Sequence, residues 1–193
     1  MVYVTYITEA LVCGSFDNNT TDKSFLLFTK RAGMLYATAR SVREERSRQR
    51  YALQDFSLIT VSLVRGKGGW RIGSVEAKRN IFSIAPARSV RGSIVRLVKM
   101  LRRFVQGEEP YPELYEEFLH SLNFLLIVPD IDRTILEKLV MVRLLYLLGY
   151  IAPAPIFKPL LENPLESLDI LAVKSQSDII EVWLENAQSV SHL

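Results

Sequence analysis

Cysteine is nearly absent from this chain of 193 residues, and Cys13 stands alone. That excludes an intrachain disulfide framework and a multi-cysteine zinc site, and it fits a reducing compartment. The two histidines, His120 and His192, are far apart and join no cysteine or acid cluster with metal spacing, so no metal and no cofactor is expected. No stretch reaches the roughly 20 apolar residues of a membrane span. The most apolar run, residues 135–148, carries Lys138 and Arg143 and reads as a buried helix. The opening Met1-Val2-Tyr3-Val4-Thr5 lacks a basic region and a cleavage pattern, so no signal peptide is expected and the chain reads as cytoplasmic, without a membrane partner. In that setting the glycosylation match Asn18-Asn19-Thr20 carries no meaning. Serine and threonine stand in no nucleophile elbow, and Gly66-Lys67 lacks the spacing and the following hydroxyl residue of a P-loop. Paired acids for a two-metal nuclease are missing from the basic half. Cys13 lies in a strand pattern and is expected as a buried structural residue. Binding, not catalysis, is the class these absences leave.

Charge is split along the chain. Residues 1–107 hold 19 Lys or Arg against 7 Asp or Glu, and residues 108–193 hold 5 against 14, so a net of +12 is followed by −9. A basic, β-rich front on an acidic, helical rear points to a polyanion-binding domain carried on a second module.

Five short apolar or alternating runs predict strands over residues 6–16, 24–29, 34–39, 56–64 and 70–77. The run 24–29 has the pattern of a strand buried on both faces. Turn chemistry separates the runs at Asp17-Asn18-Asn19, Gly33 and Gly66-Lys67-Gly68-Gly69. Five strands in about 80 residues suit a small closed barrel, with an OB-fold or an SH3-like barrel as the options. The expected class is α+β, with an OB-fold nucleic-acid-binding domain over 1–80 and an all-α domain over 81–193.

Five of the eleven residues 40–50 are arginine: Arg40, Arg43, Arg46, Arg48 and Arg50. Guanidinium forks match phosphate oxygens in pairs, so this loop suits a nucleic-acid backbone. Against that stands a solvated loop in which Glu44 and Glu45 offset part of the charge. Arg65, Lys67 and Arg71 form a second basic element at a hairpin, and Lys23 opens the second strand. Tyr36, Tyr51, Phe56 and Trp70 are interleaved with these bases. Aromatics at strand spacing usually pack inward, and Tyr51, beside the arginine run, is the best candidate to stack on a base.

Residues 87–106 predict an amphipathic helix. Ile94, Leu97, Val98, Leu101, Phe104 and Val105 form its apolar stripe. Arg88, Arg91, Arg96, Lys99, Arg102 and Arg103 fill much of the rest, with no acid before Glu108. A face of one sign suits phosphate or an acidic peptide. Helices are predicted from Pro112 to about residue 124, over 132–148 ending at Gly149, and over 177–189. The four prolines of residues 151–164 mark a connector, followed by a short segment near 165–171. The acids of these helices are expected at the surface.

The order of features resembles the N-terminal domain of RecO, the bacterial recombination mediator family. Phe28-Thr29 is followed by Gly33, a strand, Ala39-Arg40-Ser41-Val42-Arg43, and a basic stretch leading to Ala52-Leu53-Gln54-Asp55-Phe56. Asp55 stands where the family usually has proline. Pro112-Glu113-Leu114-Tyr115 and Val142-Arg143-Leu144-Leu145-Tyr146-Leu147-Leu148-Gly149-Tyr150 extend the likeness over about residues 6–152. The four-cysteine zinc module that many members carry after this last segment is missing, and the helical region is shorter than usual. The resemblance implies an OB-fold followed by a helical domain. It also implies binding of single- and double-stranded DNA, strand annealing, and help in loading RecA on strands coated by single-strand binding protein. Its implied partners are RecR and the acidic C-terminal tail of single-strand binding protein. An RNA-binding OB protein and a protein-interaction adaptor are the alternatives.

Overall fold

A computed structural model of the chain describes residues 4–18 and 20–190. The N-terminal pentapeptide reading in part, Asn19 of the glycosylation match, and His192 lie outside the described residues. The chain divides into two compact units. One comprises Met1–Ala85 with Val105–Tyr115, and the other Pro86–Phe104 with Glu116–Leu193.

The first unit is built on β1 (Val4–Asp17), β2 (Lys23–Thr29), β3 (Gly33–Ala39), a single helical turn α1 (Gln49–Ala52), β4 (Ser57–Gly66), β5 (Gly69–Asn80) and a second turn α2 (Ile81–Ile84). The strands close into a barrel in the order β1-β2-β3-β5-β4, and β4 returns to β1. Every pairing is antiparallel except β3 with β5. That closed five-strand connectivity is the OB-fold. Val12, Phe25, Leu27, Leu35, Ile59, Val61 and Leu63 fill the interior, each almost fully excluded from solvent. Removing each from water contributes about 1.5–3 kcal/mol. Residues 25–29 of β2 are all buried, as the unbroken apolar run predicts.

Between Val12 and Gly14 the β1–β2 register slips by one residue. A bulge of this kind turns the following side chains to the opposite face. Ala10 and Val12 point inward, whereas Phe16 emerges 41% exposed. Gly33, at φ +64°, makes the tight β2–β3 turn, and Met34 N–H donates to the Gly107 carbonyl at 2.9 Å.

The second unit contains α3 (Arg88–Phe104), most of α4 (Pro112–Ile127), α5 (Asp130–Leu147), α6 (Lys158–Glu162), α7 (Ile170–Ser175) and α8 (Ser177–Val190). The apolar α5 is the hub, touching α3, α6, α7 and α8. It ends as Gly149 predicts. Gly149 takes φ +79°, its N–H donates to Tyr146 O, and Tyr150 N–H donates to Leu145 O, each at 2.9 Å. These two bonds form a Schellman cap.

Two expectations need correction here. Residues 151–164 are no bare connector. Pro155 and Pro159 sit in the first turns of a 3-10 turn, Pro155–Phe157, and of α6, where a missing N–H costs nothing. The acids are not all superficial either. Glu137 is buried, and so are Arg133 and Arg143. Arg133 donates to the Leu125 and Val128 carbonyls at 2.5 and 2.6 Å, closing the C-terminal end of α4. Arg143 meets Glu117 at 2.9 Å and the Asn163 carbonyl at 2.6 Å.

Candidate nucleic-acid interface

In the barrel, strand register decides which side chains share a face. Phe16 pairs with Ser24, Ser24 with Thr38, and Thr38 with Arg71. The result is one row across β1, β2, β3 and β5. Ser24 and Thr38 hydroxyls lie 3.2 Å apart within it. Tyr36, 60% exposed, flanks the row, its ring centroid 5.8 Å from that of Phe16. A surface of exposed rings, hydroxyls and one guanidinium can stack bases while holding phosphate. This is the β2–β3 face on which OB-folds take oligonucleotides.

The basic loop lies beyond one end of β3. Val42 is buried and pins it, and Ser41 N–H donates to Asp22 Oδ1 at 2.8 Å. Arg43 N–H donates to the Thr21 carbonyl at 3.1 Å. The loop is thus stitched to the β1–β2 connection. Lys23, Arg43 and Arg50 converge on a cavity of about 260 Å³ whose floor is Phe25, Val42 and Leu53. Asp17 sits between two of these cations, 3.4 Å from Lys23 and 3.6 Å from Arg43. Arg40, Arg46 and Arg48 are exposed. Tyr51 is 63% exposed, and Arg50 both donates to its hydroxyl at 2.9 Å and lies 4.8 Å from its ring centre.

At the β4–β5 hairpin Lys67 and Arg71 are exposed, and Arg65 pairs with Glu108 at 2.6 Å. Trp70 is not a stacking platform. It is 7% exposed and belongs to the barrel core, because its strand position faces inward beside Ile72. Phe56 is half-buried and stacks on Phe82 at 5.2 Å. Phe16, in contrast, was not legible as a surface residue. Simple alternation from Val12 carries it to the interior, and only the bulge turns it out.

In the helical unit the six bases of α3 fall within an arc of roughly 140° at 100° per residue, opposite the buried stripe Val90, Ile94, Leu97, Val98, Leu101 and Phe104. Arg96, Lys99 and Arg103 line a second cavity of about 270 Å³ with Met100, Met141 and Leu184 among its apolar walls. Arg88 and Arg102 are exposed and Arg91 is half-buried, and none of the three lines this cavity. Arg96 is held by the buried Glu137, whose hydrogen bond raises the guanidinium above its ordinary pKa. Its charge is thus partly matched by an internal carboxylate, although its side chain stays 56% exposed.

Among the described residues no group of three or more histidines, cysteines and acids is placed to hold a metal ion, and no helix is long and apolar enough to cross a membrane. Cys13 is buried.

Residues 1–80 match the family model described as Recombination protein O N terminal. Proteins named DNA repair protein RecO are similar to this chain. That of Desulfitobacterium hafniense (strain DSM 10664 / DCB-2) is 25% identical over 145 residues, covering 75% of this chain and 52% of the relative. That of Myxococcus xanthus (strain DK1622) is 27% identical over 122 residues, covering 61% and 50%. The chain spans about half the length of the curated relatives it matches.

Proposed function

Taking residues 1–80 as an N-terminal domain of the recombination protein O family, we propose that this chain is a non-enzymatic, DNA-binding mediator of recombinational repair. In this reading residues 1–80 carry nucleic-acid binding and the helical domain follows from residue 81, with residues 81–85 and Val105–Tyr115 grouped in the barrel's compact unit. The observation that carries the reading is the outward row Phe16, Ser24, Thr38 and Arg71 beside Tyr36, with Lys23, Arg43 and Arg50 grouped at the same barrel. Rings supply sequence-tolerant stacking and cations supply phosphate contacts. Such a surface holds single strands, and its phosphate contacts also serve duplex DNA. Strand annealing follows if two complementary strands are held unstructured at a shielded surface. Loading of RecA on coated strands, with RecR as a partner, is the remainder of this reading, in the cytoplasm at the nucleoid.

The cavity on α3 favours one further partner. Its cationic rim over methionine and leucine walls suits a peptide that ends in acids and apolar residues. The acidic C-terminal tail of single-strand binding protein has that chemistry. The adaptor reading, in which DNA contact is minor, rests on this same cavity.

Fluorescence anisotropy with single-stranded DNA across a salt series tests the function. With about four phosphates neutralised, log affinity falls by on the order of 3 per log unit of salt. Replacing Arg43, Arg46, Arg48 and Arg50 with alanine weakens all sequences alike. A flat salt response counts decisively against the DNA-binding role, and unchanged affinity in that variant removes the loop from the site. Competition with RNA of the same sequence separates the RNA-binding alternative.

A further inference from the structure

We propose that the cavity bounded by Lys23, Arg43 and Arg50 captures a phosphate monoester end-on, as a terminal phosphate or a free nucleotide presents it. The proposal deepens the nucleic-acid reading above and rests on it for the strand as the source of the ligand.

Three features of the cavity point to a monoester in place of the diester of a passing strand. The first is charge. Three cations line the space, and Asp17 lies near two of them. A monoester carries about −1.5 to −2 at pH 7 and offers three acceptor oxygens, whereas a diester carries one charge and two free oxygens. The second is shape. At about 260 Å³ the cavity is smaller than the roughly 300–1,000 Å³ of pockets for drug-sized ligands. The floor of Phe25, Val42 and Leu53 closes it below. A terminal phosphate fits a space of this size with its one substituent pointing to solvent.

The third is preorganisation. The cations come from β2, from the turn after β3 and from α1, and each is set by backbone that is itself fixed. Lys23 pairs with Ala39 in the β2–β3 ladder. Buried Val42 and the Arg43 N–H to Thr21 bond hold Arg43, and buried Leu53 anchors the turn that carries Arg50. Asp17 behaves as a loose internal stand-in for the ligand. Its distances of 3.4 and 3.6 Å exceed the 2.7–2.9 Å of a tight charge-assisted bond. A phosphate that makes shorter bonds displaces it. Tyr51, bonded to the cavity's Arg50 and 63% exposed, is the ring available to stack on the sugar or base of the same ligand.

The test uses the full chain labelled with nitrogen-15. A nucleoside 5′-monophosphate is titrated against the parent nucleoside, followed by oligonucleotides of one sequence bearing a 5′-phosphate, a 3′-phosphate or hydroxyl ends. The monophosphate is expected to shift the amides of residues 42–53 saturably, and the nucleoside is not. Arg50→Ala removes the response and Arg50→Lys keeps part of it. Asp17→Asn tightens binding several-fold, a gain that no mere loss of folding can mimic. A preference of at least fivefold for a phosphorylated end, lost in Arg50→Ala, assigns the strand terminus as the source. A monophosphate response without end preference assigns a free nucleotide. If monophosphate and nucleoside act alike and the oligonucleotides bind without end preference, the cavity proposal is overturned and the DNA-binding reading stands. If the monophosphate saturates the cavity while no oligonucleotide binds, the cavity stands and the DNA-binding reading falls.

Discussion

Arg96 grips Glu137 with two arms of its guanidinium. Nη2 donates to Oε2 at 2.6 Å, and Nε donates to Oε1. The pair is lopsided, since the Glu137 side chain is 8% exposed and that of Arg96 56%. Ser93 Oγ gives Oε2 a further bond at 2.5 Å. Losing the arginine leaves a buried carboxylate with one neutral donor, whereas losing the acid lets the guanidinium turn into water. We expect Arg96→Ala to cost about 2–3 kcal/mol, below the usual value for a fully buried pair because one side is wet. Glu137→Ala should cost about 1–2 kcal/mol. The double variant should cost less than the sum, read as a coupling energy from urea denaturation of the four proteins. Additive losses would show that the pair is not coupled. Arg96 is also a poor probe of the α3 cavity, and Lys99 and Arg103 are the cleaner ones.

Gly33 packs against backbone. A Cβ built there would lie 2.2 Å from the Glu109 carbonyl oxygen and 2.8 Å from that of Gly107, at φ +64°. Neither carbonyl is a flexible side-chain end. Gly33→Ala should therefore lower stability by about 2–4 kcal/mol, from positive-φ strain plus displacement of the 107–109 segment. At Gly68 a Cβ would meet nothing within 4 Å, so alanine there should be tolerated within about 0.5 kcal/mol. Urea midpoints of the two variants check the contrast.

Much of the barrel was legible because its signals are local. The alternation of Val61 and Leu63, the continuous run Phe25 to Phe28, and Gly33 each act within a few residues. The stripe on α3 and the stop at Gly149 were legible for the same reason. The site was legible only in part. That residues 40–50 are rich in arginine is plain in the sequence, but which of them meet Lys23 depends on the Lys23–Ala39 register and the burial of Val42. The outward turn of Phe16 was not legible because a bulge inverts the strand's parity. Trp70 was doubtful because exposed and buried aromatics look alike until the closing strand pair is known. Arg96 looked free because its partner, Glu137, lies 41 residues away, and no local pattern joins them.

Tyr36 provides a direct reading of the barrel face. It is 60% exposed, so its removal should leave folding nearly unchanged, while stacking on a base is worth about 1–3 kcal/mol. Tyr36→Ala should weaken single-stranded DNA binding about 5- to 100-fold and duplex binding much less, because paired bases are not free to stack. Phe16→Ala should act in the same direction. Anisotropy titrations with both ligands distinguish this from a loss of phosphate contact, which would weaken both alike.

Acid should act on the two units through different carboxylates. In the helical unit the hydrogen bonds from Arg133, and then from Ser89, hold Asp130 below the ordinary aspartate range. In the barrel Lys78 does the same for Glu9. A carboxyl group with a lowered native pKa binds protons less readily than in the unfolded chain. Its contribution is complete above the unfolded values of about 3.9 and 4.3, and is lost as pH falls through the native ones. Urea midpoints should therefore stay level from pH 7 to 5 as far as these groups are concerned, and fall below about pH 4. Asp130→Asn should flatten that fall. The effect reaches further than one exposed pair, because Arg133 also closes the Leu125 and Val128 carbonyls of α4. Once Asp130 is protonated, the arginine loses the anion that sets its Nε, and the α4–α5 junction should show faster amide exchange before the barrel unfolds. Uniform exchange across the chain once the pH has fallen through the lowered native range of Asp130 would contradict that order.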